Sequence, residues 1–160
     1  MEKSILISKT FYLKNLTRIA NYIIEEIKIP ASVILEGDLA SGKTTLIKEI
    51  AHCIRIDRSK ISSPTFTIVN NYRGKLKKNI IYFNHFDVYR LEDADELINL
   101  PLDYFFKGKY LNLFEWGKKF LPTIYEYSER TYFITINRED STQNDQFRII
   151  NLSLIEGINL

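Results

Sequence analysis

Four residues in the first third of the chain have the types and spacing of a phosphate-binding loop. Gly37, Gly42, Lys43 and Thr44 match every fixed position of the pattern G-x-x-x-x-G-K-[ST]. The apolar run before the loop predicts a strand and the residues after it predict a helix, as the pattern requires. Backbone N–H groups of such a loop converge on an anion, and the helix dipole adds positive potential there. The pattern predicts a bound nucleotide; a glycine turn in an ordinary strand–helix unit is the alternative.

The individual residues of this loop have distinct expected roles. Glycine at positions 37 and 42 lets the backbone turn tightly and approach phosphate oxygens without a clash from a Cβ atom. Lys43 is placed to reach the β- and γ-phosphates, and the hydroxyl of Thr44 is placed to hold Mg²⁺.

Two later strands are predicted to end at an acidic residue. Segment 80–87 ends in Asp87, the only acid in residues 58–91, and the apolar segment 110–114 is followed by Glu115. Ligands of parallel α/β sheets bind at the carboxyl ends of the strands, so we expect both acids near the loop. Asp87 would orient Mg²⁺ directly or through water, and Glu115 could face the same metal. An exposed strand-end aspartate is the alternative for Asp87.

Thr65 lies between the loop and the second acidic motif. In phosphate-loop proteins a threonine on that segment often contacts the γ-phosphate, as switch segments do. Taken alone, Ser63-Pro64-Thr65 is more simply a turn, and both interpretations stay open. His85 is more often a hydrogen-bonded structural group than a catalyst at such a position.

The remaining pattern predicts alternating strands and helices. We expect a strand at 5–7, a helix from Ser8 or Thr10 to about Lys28, a helix after the loop to about Ile54, a strand at 66–72, a basic hairpin turn at 73–79, helices at 90–100 and 103–106, and strands at 131–136 and 147–154. The last two strands, joined by the polar loop 137–146, would form an antiparallel hairpin that closes one edge of the sheet.

Length and composition favour one globular domain over residues 1–160, with 45% hydrophobic and 26% charged residues. The net charge of +2 does not mark the whole surface as a nucleic-acid binder. Cys53 is the one cysteine, so an internal disulfide is impossible and a structural zinc site is disfavoured. No run reaches transmembrane length and residues 1–8 lack a signal-peptide core, so we expect a cytoplasmic protein without membrane contact.

Several motifs together resemble the TsaE (YjeE) family, small bacterial ATPases of tRNA threonylcarbamoyladenosine biosynthesis. They occur in one order: the phosphate loop, Ser63-Pro64-Thr65-Phe66, the block His85-Phe86-Asp87-Val88-Tyr89-Arg90-Leu91, Glu96-Leu97 and Glu115-Trp116. The chain departs from the family at Ala40-Ser41, where Gly-Ala is usual, and at Pro101, where Gly is frequent. Both loop replacements are small, and Pro101 touches no expected ligand.

The resemblance implies a fold and an activity. The fold would be a single-domain P-loop NTPase-like three-layer αβα sandwich, with a mostly parallel sheet and an antiparallel C-terminal edge. Similar proteins hydrolyse ATP with Mg²⁺ beside a TsaD-like threonylcarbamoyl transferase and its inactive TsaB-like paralogue. Transfer RNA would be reached indirectly through that complex, which modifies the adenosine next to the anticodon, and hydrolysis would reset the complex between turnovers.

The resemblance also assigns roles to residues of this chain. Thr44 and Glu115 would ligate Mg²⁺, Asp87 would be the strand-end acid, and Thr65 would be the switch-like hydroxyl. Trp116 would lie beside the nucleotide. The phosphates would be bound by Gly37, Asp38, Leu39, Ala40, Ser41, Gly42, Lys43, Thr44 and Thr45.

Rate and reaction class are less constrained by the residues themselves. No arginine is obviously placed as a finger and no glutamine or second acid clearly positions water, groups on which phosphoryl transfer depends. We therefore expect slow hydrolysis by the isolated chain and stimulation by partners. A small-molecule or nucleoside kinase and a non-hydrolysing nucleotide-gated module remain alternatives, although an arginine-rich lid helix is not apparent. A GTPase is disfavoured because no Asn-Lys-x-Asp motif occurs.

Overall fold

One seven-stranded sheet with helices on both faces forms the body of the protein in a computed structural model, which describes residues 2–138 and 147–158. The strands are β1 (Glu2–Tyr12), β2 (Ala31–Glu36), β3 (Val69–Leu76), β4 (Asn79–Asp87), β5 (Tyr110–Glu115), β6 (Thr131–Arg138) and β7 (Phe147–Gly157). The helices are α1 (Leu16–Glu26), α2 (Lys43–Cys53), α3 (Ala94–Ile98), α4 (Leu102–Phe105) and α5 (Leu121–Tyr127). Short 3₁₀ turns span Leu13–Asn15, Arg58–Lys60 and Gly117–Phe120.

The strand order is β1-β7-β6-β2-β5-β4-β3. The four central strands β6, β2, β5 and β4 are parallel to one another, whereas the pairs β1–β7, β7–β6 and β4–β3 are antiparallel. The sheet is therefore a mixed α/β sheet with antiparallel pairing on both sides of the parallel centre. The expected antiparallel C-terminal edge is confirmed by β6 and β7, but the sheet is not mostly parallel, because three of its six strand pairings are antiparallel and β1 and β3 form the two outer edges.

The central strand β2 shows why helices cover both faces. It is an apolar run in which Ala31–Leu35 are fully buried, as in parallel strands covered on both sides. Val33 and Leu35 belong to an apolar cluster with α1 and α2, whereas Ile34 belongs to a second cluster with α3, α4 and α5. Because side chains alternate along a strand, these clusters lie on opposite faces of the sheet and give three layers.

The N-terminal segment differs from the sequence prediction. The strand expected at 5–7 is confirmed but longer, because β1 runs through residues 2–12, and the helix start expected at Ser8 or Thr10 was wrong. Pairing with β7 along this whole length keeps Ser8 and Thr10 extended. Helix α1 starts only at Leu16, but its predicted buried face is confirmed by Leu16, Ile19, Ala20, Ile23 and Ile24.

In the middle of the chain β4 was predicted to within one residue, whereas β3 both starts and ends later than predicted. The strand expected at 66–72 starts at Val69, because Pro64–Ile68 form a turn closed by a hydrogen bond from Ile68 N to Pro64 O. The hairpin expected over 73–79 turns only at Lys77 and Lys78. Strand β4 ends at Asp87 as predicted.

The helices after β4 are shorter than expected. The helix predicted over 90–100 is confined to α3, where the Asp93 carboxylate caps the chain by accepting from Glu96 N at 3.0 Å. The helix predicted at 103–106 corresponds to α4. Helix α5 and the preceding 3₁₀ turn had no predicted counterpart.

The C-terminal hairpin is confirmed by the antiparallel pairing of β6 and β7. The loop expected over 137–146 starts later than predicted, since Asn137 and Arg138 belong to β6, and its remainder lies outside the described residues. Within the described ranges, no helix is both long and apolar enough to cross a bilayer.

Candidate functional site

The two strand-end acids lie side by side at the carboxyl edge of the parallel strands. Asp87 of β4 and Glu115 of β5 are register partners, and Glu115 also pairs with Leu35 of β2. Strand β2 leads directly into the glycine-bounded loop, so the loop reaches the same edge as both acids. Both acids are almost fully buried. The structure therefore brings together the loop and the two carboxylates that the sequence singled out.

Glycine is required at position 37 by the close approach of β6. Gly37 has a φ of +152°, and a Cβ atom there would lie 2.3 Å from the Ile136 carbonyl oxygen. At the other end of the loop, Gly42 is left-handed with a φ of +108° and precedes the first turn of α2. These two positions fix the curvature of the loop backbone between β2 and α2.

We predict that Gly37→Ala destabilises the protein by about 1–3 kcal/mol, because either the loop or the end of β6 must shift. Urea unfolding of the purified chain measures this free energy. Gly157→Ala is the matched control, since its Cβ would meet Glu2 Oε2 only at an ordinary 3.8 Å. Equal stability of the two variants would show that the contact between Gly37 and β6 is not tight.

Lys43 lies inside the loop and is almost fully buried, at 5% exposure. Its Nζ donates to the Gly37 carbonyl at 2.7 Å and to the Asp38 carbonyl at 2.9 Å. The ammonium also lies 3.9 Å from the centroid of the Trp116 ring. Burial lowers the pKa of Lys43, and nearby carboxylates, Glu115 first among them, oppose that shift. The amine is thus a desolvated cation whose charge is poorly compensated.

Thr44, Glu115 and His85 form a continuous hydrogen-bonded set. Thr44 Oγ1 lies 2.9 Å from Glu115 Oε1 and 3.0 Å from Oε2. His85 Nε2 lies 2.8 Å from Glu115 Oε1, and the imidazole is fully buried. An ionised carboxylate only accepts, so Nε2 carries the hydrogen and donates it. His85 therefore fixes the orientation of the Glu115 carboxylate through its oxygen Oε1.

Asp87 holds the Ser63–Thr65 turn against the end of β4. Its Oδ2 accepts from Ser63 Oγ at 2.9 Å and from Thr65 Oγ1 at 2.8 Å. Its Oδ1 accepts from Tyr89 N at 3.3 Å. Thr65 is thus brought to the site by a carboxylate rather than by the strand, which starts four residues later at Val69.

These groups line a cavity of about 530 Å³, a size typical of small-ligand sites. Tyr89 and Trp116 stand on one side with ring centroids 5.3 Å apart. Among the expected site residues, Gly37 and Asp38 do not line it and contribute carbonyls to Lys43 instead. The lining is Leu39, Ala40, Ser41, Gly42, Lys43, Thr44, Thr45, Ser63, Thr65, Asp87, Tyr89, Glu115 and Trp116.

Two arginines that the sequence did not single out support the loop from the hairpin. Arg138 Nη2 donates to the Ala40 carbonyl at 2.8 Å, and Arg148 Nε donates to the Ser41 carbonyl at 3.3 Å. Ser63 is a third residue that was not predicted to belong to the site. Its position two residues before Thr65 could have indicated it, since both hydroxyls donate to Asp87 Oδ2. No spacing in the sequence links the arginines to the loop, because the contacts depend on pairing of β6 and β7.

The donor set suits Mg²⁺, which prefers oxygen ligands and usually retains water and substrate phosphates in its shell. Thr44 and Glu115 offer a hydroxyl and a carboxylate at one point of the cavity wall. In the part of the chain that the structure describes, no three His, Cys, Asp or Glu side chains are clustered closely enough to hold a metal alone. Thr44 and Glu115 could therefore hold a metal only together with oxygen atoms of a bound ligand or water.

The fold and the site define a mixed α/β protein with a glycine-bounded loop and two carboxylates at the carboxyl edge of its parallel strands. The family model of the threonylcarbamoyl adenosine biosynthesis protein TsaE matches residues 12–147, and the chain belongs to this family. The resemblance inferred from the motifs is thereby confirmed.

Relatives named tRNA threonylcarbamoyladenosine biosynthesis protein TsaE share a third or more of the aligned residues. The Bacillus subtilis protein is 43% identical over 83 residues, which are 52% of this chain and 48% of that protein. The Treponema pallidum protein is 34% identical over 96 residues, 60% of this chain and 67% of that protein. The Haemophilus influenzae protein is 38% identical over 87 residues, which are 54% of this chain and 52% of that protein. The chain thus spans about half the length of two of these relatives. The family and these relatives are named for threonylcarbamoyladenosine biosynthesis.

Proposed function

We propose that this chain is a Mg²⁺-dependent ATPase with a P-loop NTPase-like fold, and that its ATP hydrolysis supports tRNA threonylcarbamoyladenosine modification. The partners would be a TsaD-like threonylcarbamoyl transferase and its TsaB-like paralogue, and the compartment would be the cytoplasm. The observation that carries the proposal is the hydrogen bond between the Thr44 hydroxyl and Glu115, in a cavity that also contains Lys43. A helix-start hydroxyl beside a strand-end carboxylate is the arrangement that holds Mg²⁺ in phosphate-loop proteins.

In this proposal the loop and Lys43 bind the triphosphate. Backbone N–H groups from Leu39 to Thr45 would donate to the β- and γ-phosphates. Lys43 already uses two hydrogens on loop carbonyls, and its desolvated ammonium would gain a compensating charge from phosphate oxygens. Binding would therefore raise the pKa of Lys43 toward its usual range.

Thr44 and Glu115 would hold Mg²⁺, which neutralises charge that develops on the phosphates. His85 keeps the Glu115 carboxylate oriented toward Thr44. Asp87 would contact the metal through water while it holds Ser63 and Thr65 at the cavity wall. Trp116, beside Lys43, would lie against the nucleotide.

The expected dependence of the hydrolysis rate on a partner follows from the types of side chain that line the cavity. Among the described residues that line it there is no arginine and no glutamine. Arg138 and Arg148 bind loop carbonyls on its outer side. An arginine finger contributes about 10³–10⁵ in rate, so a site without one is expected to turn over slowly. We therefore propose that a partner completes the site.

The test is steady-state ATP hydrolysis by the purified chain, with and without the transferase pair and tRNA. We expect slow hydrolysis alone and an increase of at least about tenfold with the pair, since partner-supplied charge lowers the barrier. Fast hydrolysis that the pair does not change would contradict the partner-completed site. Phosphate transfer to an acceptor from a metabolite mixture would instead identify a kinase.

A further inference from the structure

A second cavity, of about 670 Å³, lies on the sheet away from the nucleotide site and shares no lining residue with it. Its floor is the hairpin β3–β4, and its wall is the end of α4 with the loop that follows. Tyr82 on its floor precedes Asp87 by five residues on β4, which is roughly 16 Å along a strand. The residues that matter here are Asn71, Arg73, Tyr82, Asn84, Tyr104 and Lys107.

Two planar side chains on the floor of this cavity, Arg73 and Tyr82, are exposed to solvent. Arg73 and Tyr82 are register partners on neighbouring strands, so their side chains lie on one face. The Arg73 guanidinium lies 5.9 Å from the centroid of the Tyr82 ring. Tyr82 is 45% exposed, and Tyr104 on the wall is 65% exposed. Solvent-exposed aromatic rings beside a guanidinium are platforms on which unpaired bases stack.

The same region concentrates positive charge in a chain whose net charge is only +2. Segments 71–82 and 104–110 contain six lysines and arginines and no acidic residue. All six side chains are exposed: Arg73, Lys75, Lys77, Lys78, Lys107 and Lys109. Within residues 2–138 and 147–158, none of the six forms an ion pair.

An exposed amide completes the set. Asn71 and Asn84 are register partners on the same face as Arg73 and Tyr82, but only Asn71 is exposed. Asn84 is buried and supports the floor, because its Nδ2 donates to Asn112 Oδ1 at 2.7 Å and to the Phe105 carbonyl at 3.3 Å. Side-chain amides bind base edges, cations bind phosphates and aromatic rings bind base faces. An acidic peptide would use only the cations and leave the exposed tyrosines without a partner.

We propose that this groove, formed by β3, β4 and the end of α4, binds an unpaired segment of RNA. Tyr82 and Tyr104 stack on bases, and Arg73 and Lys107 contact the phosphates on either side. The basic turn at Lys77 and Lys78 extends the path of the strand. This binding goes beyond the proposed ATPase function and does not depend on it. In this proposal the chain itself contacts RNA, rather than reaching it only through partners.

The experiment measures fluorescence anisotropy of a labelled, short unpaired RNA with the purified full chain, in the absence of nucleotide and over a range of salt concentrations. We expect weaker binding to a fully paired duplex of the same sequence, because its bases are not free to stack. The logarithm of the affinity should fall linearly with the logarithm of the salt concentration.

Substitutions separate stacking from charge. Tyr104→Ala should weaken binding at least about fivefold, whereas Tyr104→Phe, which keeps the ring, should bind like the wild type. Lys107→Ala should reduce the steepness of the salt dependence by about 0.7, the contribution of one phosphate contact on a single strand. Lys60→Ala removes the same charge from the exposed turn after α2 and should leave both quantities unchanged.

Absence of RNA binding at low salt would overturn the proposal. So would equal affinity of Tyr104→Ala and the wild type, or equal effects of Lys107→Ala and Lys60→Ala, which would indicate non-specific attraction. Binding of an acidic peptide in place of RNA would also overturn it. ATP hydrolysis by Tyr104→Ala should equal that of the wild type, so failure here and failure of the ATPase proposal are distinguishable.

Discussion

Replacing Lys43 by alanine should weaken ATP binding by about 10–100-fold or more. A hydrogen bond to a charged group contributes about 1.5–3 kcal/mol, and Lys43 is the cation that lines the cavity between the loop and Trp116. Trp116 is the one tryptophan of the chain and lies 3.9 Å from the Lys43 ammonium. We therefore expect its intrinsic fluorescence to change when ATP binds, and the titration follows that change.

Lys48→Ala is the matched control for this experiment. Lys48 is on the same helix, α2, but does not line the cavity. Thermal unfolding of both variants without nucleotide establishes that each is folded at the temperature of the titration. Wild-type ATP affinity of a folded Lys43→Ala variant would contradict the assignment of the loop as the phosphate site.

Replacing Glu115 by glutamine should reduce ATP hydrolysis by about 10²-fold or more while the chain stays folded. Glutamine keeps the size of the side chain and an oxygen that can accept from Thr44, but it removes the charge that would hold Mg²⁺. We expect the Mg²⁺ concentration needed for half-maximal hydrolysis to rise as well. ATP binding measured without Mg²⁺ should change little, because the loop and Lys43 are intact.

Glu129→Gln is the charge-matched control for Glu115→Gln. Glu129 is exposed and lies at the opposite end of the sheet, where its backbone N–H donates to the Tyr110 hydroxyl at 3.0 Å. It should hydrolyse ATP at the wild-type rate. If the Glu115 and Glu129 variants had equal rates and equal Mg²⁺ requirements, Glu115 would not be a metal ligand.

The parts of the fold that the sequence predicted well are those determined by residues close together in the chain. Strand β2, the loop and helix α2 follow each other directly, so the apolar run, the glycines and the helix start are read from one short stretch. The acids at the ends of β4 and β5 were likewise marked by the apolar residues before them. Parallel register then places Asp87 next to Glu115 without further information.

The parts that were predicted wrongly depend on pairing between distant segments. Strand β1 is extended as far as Tyr12 because it pairs with β7 near the other end of the chain, a contact that no local pattern in residues 2–12 predicts. Phe66 was expected in a strand from its type, yet it is 86% exposed in the turn that Asp87 holds through Ser63 and Thr65. In both places a tertiary contact decides the local structure.

The site shows the same division. The residues of the loop could be named from spacing alone, because the pattern depends on a backbone conformation that the glycines allow. His85 was expected to be a hydrogen-bonded structural group, but neither its partner Glu115 nor the contact of Arg138 with the loop could be inferred, because each bond reaches a residue on another element. The spacing of a histidine near a strand end, or of an arginine at a hairpin, does not show whether the residue supports the site or only stabilises the fold.

The most direct test of the central claim is repeated tRNA modification by a reconstituted transferase pair. The amount of threonylcarbamoyladenosine formed per transferase is measured with the wild-type chain, with Glu115→Gln and with Glu129→Gln. We predict many turnovers with the wild type and Glu129→Gln, and at most about one turnover with Glu115→Gln, because in our proposal hydrolysis resets the complex between turnovers. Many turnovers with a Glu115→Gln chain that does not hydrolyse ATP would contradict the account.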